Sequence, residues 1–407
     1  MEVNFKNQIS NLKNIIQKNM KQLSKIADNL LGQPMFGLLS RAKEMERAGR
    51  KIIHFEIGDP IFNSPSHVIN AAKTALDNNL THYTGSMGII ELREAVADYI
   101  ELNYGFKPSL GQVLICPANA VIDFVSRCVV NPGEEIIYPD PGFPTYYSVI
   151  NYNGMIPVPI QVKEENSFRM NPGDVAKKIT DKTRLIIINT PQNPTGAVMT
   201  KEEVAGMANI SKERDIYLLS DEVYSKIIFG KSHYSASAED QCKERTIILG
   251  SLSKIYSMSG WRLGYAVGPE KVIQKMGLLL ETIISCLPPF VQLGGRAALL
   301  GDQNFLTERI KILKERRDLL IQGLNNIPGI SCVLPEGAFY AFPNIKNTGL
   351  NADEYSEKLL RETGVCLLPG TCFGEFGKDH IRLCYASADL KMIEETLNKI
   401  KEFHKKL

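Results

Sequence analysis

Lys254 lies in the stretch Gly250–Gly264, G-S-L-S-K-I-Y-S-M-S-G-W-R-L-G, with Ser251 and Ser253 just before it and Arg262 eight residues beyond. A lysine amine can condense with a carbonyl, while serine hydroxyls and an arginine can hold a phosphate. A small molecule carrying both an aldehyde and a phosphate would use the whole stretch. An isolated S-x-S-K could equally be a solvated loop, so its partners elsewhere in the chain decide the reading.

Three further motifs supply such partners. Asn189–Gly196 reads N-T-P-Q-N-P-T-G, Ser220–Tyr224 reads S-D-E-V-Y, and Pro139–Thr145 reads P-D-P-G-F-P-T. Asp221 can keep a pyridine nitrogen protonated, which turns the ring into an electron sink. Asn193 and Tyr224 can donate to a phenolic oxygen on that ring, and Phe143 can stack on its face. The cofactor that needs all of these is pyridoxal 5'-phosphate. Each residue also has an ordinary structural reading: Asp-Glu as a helix cap, N-P-T-G as a turn, an aromatic beside prolines as core.

The elements that must position these residues follow from periodicity. From Val113 onward, short apolar runs alternate with helical patterns. Strands are predicted at Val113–Ile115, Glu135–Tyr138, Met155–Ile160, Arg184–Ile188, Ile216–Leu219 and Ile247–Leu249, and helices at Ala120–Val130, Lys201–Glu213 and Glu270–Leu280. Such alternation predicts an α/β fold with a mainly parallel sheet flanked by helices. Ligands of such sheets sit at the carboxyl ends of the strands, where all four motifs fall.

After Pro288-Pro289 the alternation stops. A long helix over Asn304–Leu324, strands at Ser331–Val333, Phe339–Phe342, Val365 and Ile381, and helices at Ala352–Glu362 and Leu390–Phe403 predict a smaller α+β layer. The expected organisation is a helical arm over 1–32, a small-domain segment over 33–72, a large cofactor-binding domain over 73–300 and a small domain over 301–407. In the arm, Phe5, Ile9, Leu12, Ile16, Met20, Leu23, Ile26 and Leu30 recur at helical spacing opposite a lysine face, which suits packing on the body or on a partner.

Composition sets the outer bounds. With 407 residues, 44% hydrophobic, 23% charged and a net charge of +2, the chain gives no electrostatic case for nucleic acid. Its eight cysteines show no C-x-x-C pair and no metal-like Cys/His spacing, as expected of thiols in a reducing compartment. No apolar run approaches the roughly 18 residues of a membrane helix. The expected setting is cytoplasmic.

Together the N-P-T-G, S-D-E-V-Y and S-L-S-K-I-Y-S-M-S-G-W-R-L-G motifs, in this order, resemble class I/II pyridoxal-phosphate aminotransferases of fold type I, over roughly residues 33–405. The resemblance implies that Lys254 forms the internal Schiff base and shuttles a proton. It implies that Asp221 pairs with the pyridine nitrogen, that Asn193 and Tyr224 bind the phenolic oxygen, and that Phe143 stacks. Ser251, Ser253 and Arg262 are similar to the phosphate ligands, Ser253 alternatively orienting the lysine. Tyr83, in T-H-Y-T-G, is similar to the tyrosine that reaches the phosphate from a neighbouring subunit of a homodimer. Arg382, in H-I-R-L-C-Y-A, matches the arginine that grips the substrate carboxylate, beside Gly58 of I-G-D-P and Asn193.

One departure stands out. Where the family has a glycine-containing phosphate turn, this chain reads Cys116-Pro117-Ala118-Asn119-Ala120. Proline lacks an N–H, which leaves Ala118 and Asn119 to donate from the helix start. No basic residue falls between Lys275 and Arg296, which argues for a neutral or apolar substrate side chain, with Tyr83, Phe36 and Phe373 as candidate lining. The reading is amino transfer from an L-amino acid to a 2-oxo acid. The same machinery could instead carry elimination, cyclisation or oxidation. A binding protein on this fold would need an added DNA-binding domain, which residues 1–31 are too short to supply.

Overall fold

In the computed structural model, residues 23–407 are described, so most of the expected arm lies outside them. Of its described part, one turn, Lys25–Asp28, is helical, capped by Ser24. A 14-residue helix, Pro34–Arg47, then starts with proline in its first turn, where a missing N–H costs nothing.

The strands in chain order are β1 (Ile53–His54), β2 (Val113–Cys116), β3 (Glu135–Asp140), β4 (Ile156–Gln161), β5 (Thr183–Asn189), β6 (Tyr217–Asp221), β7 (Thr246–Ser251), β8 (Gly264–Val267), β9 (Tyr340–Ala341), β10 (Val365–Cys366), β11 (Leu368–Pro369) and β12 (Ile381–Cys384). Seven form one sheet in the order β2-β8-β7-β6-β5-β3-β4. Strands β4, β3, β5, β6 and β7 are parallel, and β8 runs antiparallel to both β7 and β2. Because two reversals cancel, β2 points the same way as β7. The carboxyl ends of β2, β3, β5, β6 and β7 therefore share one edge.

Burial explains the strand sequences. Leu185–Ile188 are all buried, as a strand covered on both faces requires. The crossover helix Lys201–Glu213 begins with a capping box between Thr200 and Glu203, which sets its start one residue after the cap. Strand β8 is absent from the sequence-based expectations: G-Y-A-V is four residues long and ends at Gly268, too short for an alternation to register. The helices Pro144–Tyr152 and Pro289–Leu300 were likewise not anticipated, since each opens on proline within a proline-rich run.

Strands β11, β12 and β9 make a second, antiparallel sheet, and β1 pairs in parallel with β10. The helices Asn304–Asn325, Ala352–Thr363 and Leu390–His404 cover this layer around a core that includes Phe55, Leu320, Phe339, Leu359 and Ile393. Ile53 belongs to this core, whereas Val68 is buried with Leu92 and Ile115 against the large sheet. Only Ser331 of the expected Ser331–Val333 strand makes a bridge, to Asn344. Among the described residues no helix is long and apolar enough to cross a membrane, and no group of three His, Cys, Asp or Glu could hold a metal.

Candidate active site

A cleft of about 440 Å3 opens along the shared strand edge. Lys254, Asp221, Tyr224, Asn193, Phe143, Ser251, Ser253, Arg262, Ala118, Asn119, Gly58 and Arg382 all line it. The remaining candidate, Tyr83, is 88% exposed on the surface and does not border the cleft of its own chain.

Lys254 stands on the single turn Leu252–Ile255, whose first N–H groups are capped when Ser251 Oγ accepts from Ser253 N at 3.1 Å. Its Nζ donates to Gly58 O at 2.6 Å. Desolvation lowers its pKa, Asp59 opposes that, and Arg382 and Arg262 add to it. More of the amine is therefore neutral, the form that attacks a carbonyl.

Asp221 ends β6 directly opposite Asn189 on β5. Tyr146 Oη donates to its Oδ2 at 2.6 Å, and burial pushes its carboxyl up to about 6 against the pull of that bond and of Val223 N–H. Asn189 fixes the neighbouring loop by donating to Asp221 O at 3.0 Å and accepting from Asn193 N at 2.9 Å. Phe143 caps the helix that carries Tyr146, and the two rings meet edge to face at 5.7 Å.

Arg382, on β12, is 1% exposed, and its Cζ lies 4.6 Å from the Tyr340 ring and 4.9 Å from the Phe373 ring. One Nη donates to Asn193 Oδ1 at 3.2 Å, the other to Glu56 O, and Nε has no partner among the described residues. A buried guanidinium with an unmet N–H is suited to an anion, and a carboxylate fits its fork. Since Asn193 spends its oxygen on Arg382, its amide NH2 remains as a donor. Tyr340 Oη shares a 2.7 Å hydrogen bond with Tyr224 Oη, and burial pushes the Tyr224 hydroxyl well up, keeping it protonated. A Cβ at Gly58 would lie 2.2 Å from Tyr340 Oη, so glycine is needed there.

The proline in Cys116–Ala120 occupies the N-cap position of the helix Ala118–Val129 with no side-chain cap, and Ala120 N bonds Pro117 O at 2.9 Å. The N–H groups of Ala118 and Asn119 stand at the helix start, where intrahelical acceptors are lacking. Gly264, opposite both Cys116 and Ser251, lets this helix start approach β8: a Cβ there would sit 2.9 Å from Ala118 Cβ. Arg262 sits at φ 56° with Nη1 on Ser259 O at 2.6 Å. Hydroxyls (Ser251, Ser253), helix-start residues (Ala118, Asn119), a guanidinium (Arg262), a buried carboxylate (Asp221) and a desolvated lysine (Lys254) thus line one cleft. This donor set fits pyridoxal 5'-phosphate.

Sequence reasoning missed Tyr146, Tyr340 and Asn189. Tyr146 lies three residues after Phe143 and Asn189 opens the N-T-P-Q-N-P-T-G motif, so spacing from the named motifs was the available signal. Phe36 lines the cleft as expected, together with Gln33 and Met35, whereas Phe373 packs behind Arg382.

The fold and cleft define a pyridoxal-phosphate enzyme of fold type I. A model of the family "Aminotransferase class I and II" matches residues 50–400, and the chain belongs to that family. It is 38% identical over 368 residues to the aspartate aminotransferase of Pyrococcus horikoshii, spanning 90% of this chain and 93% of the relative. It is also 38% identical to the aromatic-amino-acid aminotransferase 2 of Thermococcus litoralis, over 86% of this chain and 91% of the relative. The solved alanine aminotransferase from Pyrococcus furiosus superposes with a TM-score of 0.90 at 32% identity, covering 95% of this chain and all of that one. The protein is an aminotransferase that moves an amino group to a 2-oxo acid and depends on pyridoxal phosphate.

Proposed function

We propose that the cleft at the β2/β3/β5/β6/β7 edge is the transamination site, with Lys254 as its working amine. The carrying observation is the desolvated Lys254 amine in one cleft with buried Asp221 and buried Arg382. Bound there, the cofactor supplies an electron sink for the substrate's α-carbon. Lys254 Nζ would hold the cofactor through its aldehyde and, once the substrate's amine has displaced it, would be free to take and return the α-proton. Asp221, oriented by Tyr146, holds a proton on the ring nitrogen. Asn193 and Tyr224 would donate to the phenolic oxygen, and Phe143 would supply an aromatic face for the ring. Ser251, Ser253, Arg262 and the N–H groups of Ala118 and Asn119 hold the phosphate. Arg382 takes the substrate's α-carboxylate beside Gly58 and Asn193.

The layer around β9–β12, with residues 33–72 and 301–407, is read as the small domain that brings Arg382 to a large domain over 73–300. A substrate side chain would meet Met35, Phe36 and Ile57, and the cations lining the cleft among the described residues, Lys254, Arg262 and Arg382, already have tasks. The reading is therefore a neutral or apolar amino acid. Steady-state kinetics with a panel of amino acids should give kcat/KM for an aromatic or branched substrate at least about tenfold above that for aspartate. A preference for aspartate would overturn this choice.

The exposure of Tyr83 supports a homodimer in which it reaches the partner's phosphate site. Tyr83→Ala mixed with Lys254→Ala should regain activity that neither has alone, because one site of the mixed dimer keeps both residues. Absence of recovery places Tyr83 outside the site. The thiols suit a cytoplasmic enzyme, and separation of cell fractions tests that.

A further inference from the structure

Asp140 ends β3 with a buried carboxylate to which none of these roles belongs. It is 3% exposed, and its Oδ2 and Oδ1 accept from the backbone N–H groups of Glu375 and Phe376, each at 3.2 Å. The approach is close. Gly374 sits at φ 133°, and a Cβ there would lie 2.1 Å from Asp140 Oδ1, so only glycine admits the loop. A second link follows two residues on, where Gly142 N–H donates to Phe373 O at 2.8 Å. Phe373, itself 3% exposed, presents its ring to Arg382.

Keeping this carboxylate is costly. Burial pushes it up to about 6, opposed by the two N–H donors. A folded pKa above the unfolded one means that its contribution to stability is present below pH 3.8 and is lost as pH rises through about 6. At neutral pH the fold therefore carries Asp140 at a loss, as expected of a group kept for another task.

We propose that Asp140 is a positioning residue for the substrate: by holding the loop at 370–377 it keeps Phe373 against Arg382 and fixes the guanidinium that grips the α-carboxylate. The inference rests on the assignment of Arg382 to that carboxylate. Amino acid and 2-oxo acid share this group, so disturbing its arginine acts on both substrates. The phosphate contacts assigned to Ser251, Ser253, Arg262, Ala118 and Asn119 are not among the atoms that Asp140 or Gly374 meets.

The test is steady-state kinetics on cofactor-loaded Asp140→Ala, Asp140→Asn and Gly374→Ala. Asp140→Ala should raise KM for both substrates by about tenfold while kcat stays within about twofold, the pattern of lost uniform binding. Asp140→Asn, which keeps one acceptor, should fall between parent and Asp140→Ala, and it serves alone should the alanine variant not fold. Gly374→Ala should reproduce the KM effect from the other side of the contact. Unchanged KM, or a loss confined to kcat, overturns the proposal. Arg382→Lys separates the two levels. If it leaves KM unchanged, the Arg382 assignment and this inference fall together. If it raises KM while the Asp140 variants do not, this inference alone falls.

Discussion

Lys254→Ala lowers kcat roughly 100,000-fold, because it removes the amine that, alone among the described residues of the cleft, is placed both to anchor the cofactor and to move the α-proton. Among the described residues no neighbour can replace it: the other cations lining the cleft are Arg262 and Arg382, guanidinium groups that do not deprotonate. Borohydride should fix cofactor to the parent chain and not to the variant. Exogenous small amines should restore part of the proton transfer, as expected if the lost group is a base. Cofactor affinity should fall less than kcat, since Ser251, Ser253, Arg262 and the helix-start N–H groups remain. A variant that keeps borohydride-fixed cofactor would remove Lys254 from this role.

Asp221→Asn should lower kcat by about 1,000-fold, because a neutral amide cannot hold a proton on the ring nitrogen as a carboxylate does. The same change should act oppositely on folding. In the cofactor-free protein, burial raises the Asp221 carboxyl to about 6, so its contribution to stability is present below pH 3.8 and is lost as pH rises through about 6. Above pH 6 the cofactor-free Asn variant should therefore be more stable than the parent, by about 3 kcal/mol, a gain that has mostly gone by pH 4. With cofactor bound, a cationic N–H beside the carboxylate reverses that sign and the parent should be the more stable. Thermal denaturation with and without cofactor at pH 4 and pH 8 checks both halves. A parent more stable than the variant without cofactor at pH 8 would contradict the burial argument.

The legibility of this site in the sequence follows a physical line. Motifs at strand ends could be placed because β3, β5, β6 and β7 are apolar runs whose ends are marked by a change to polar and proline residues. Asp221, Asn193, Ser251 and Lys254 inherit their positions from those runs. What could not be read is what depends on contacts between distant segments. Tyr340 touches Tyr224, Gly58 and Arg382, yet in G-A-F-Y-A-F it looks like any core aromatic. Tyr146 looks like a helix residue until the fold brings Asp221 to its hydroxyl. Strand β8, too short to show a period, supplies the two reversals that turn the end of β2 toward the cleft. The Cys116–Ala120 departure reads in the sequence as a lost donor. In the fold it is a helix start without a side-chain cap, with Ala118 and Asn119 lining the cleft.

The most direct test is a single turnover without an acceptor. Cofactor-loaded protein is mixed with one amino acid, and 2-oxo acid, ammonia and oxygen are measured against the number of sites. Transamination at this cleft predicts one 2-oxo acid per site, no ammonia and no oxygen uptake, and a second 2-oxo acid then returns the site to its starting state. Continued product formation with release of ammonia or consumption of oxygen would contradict it.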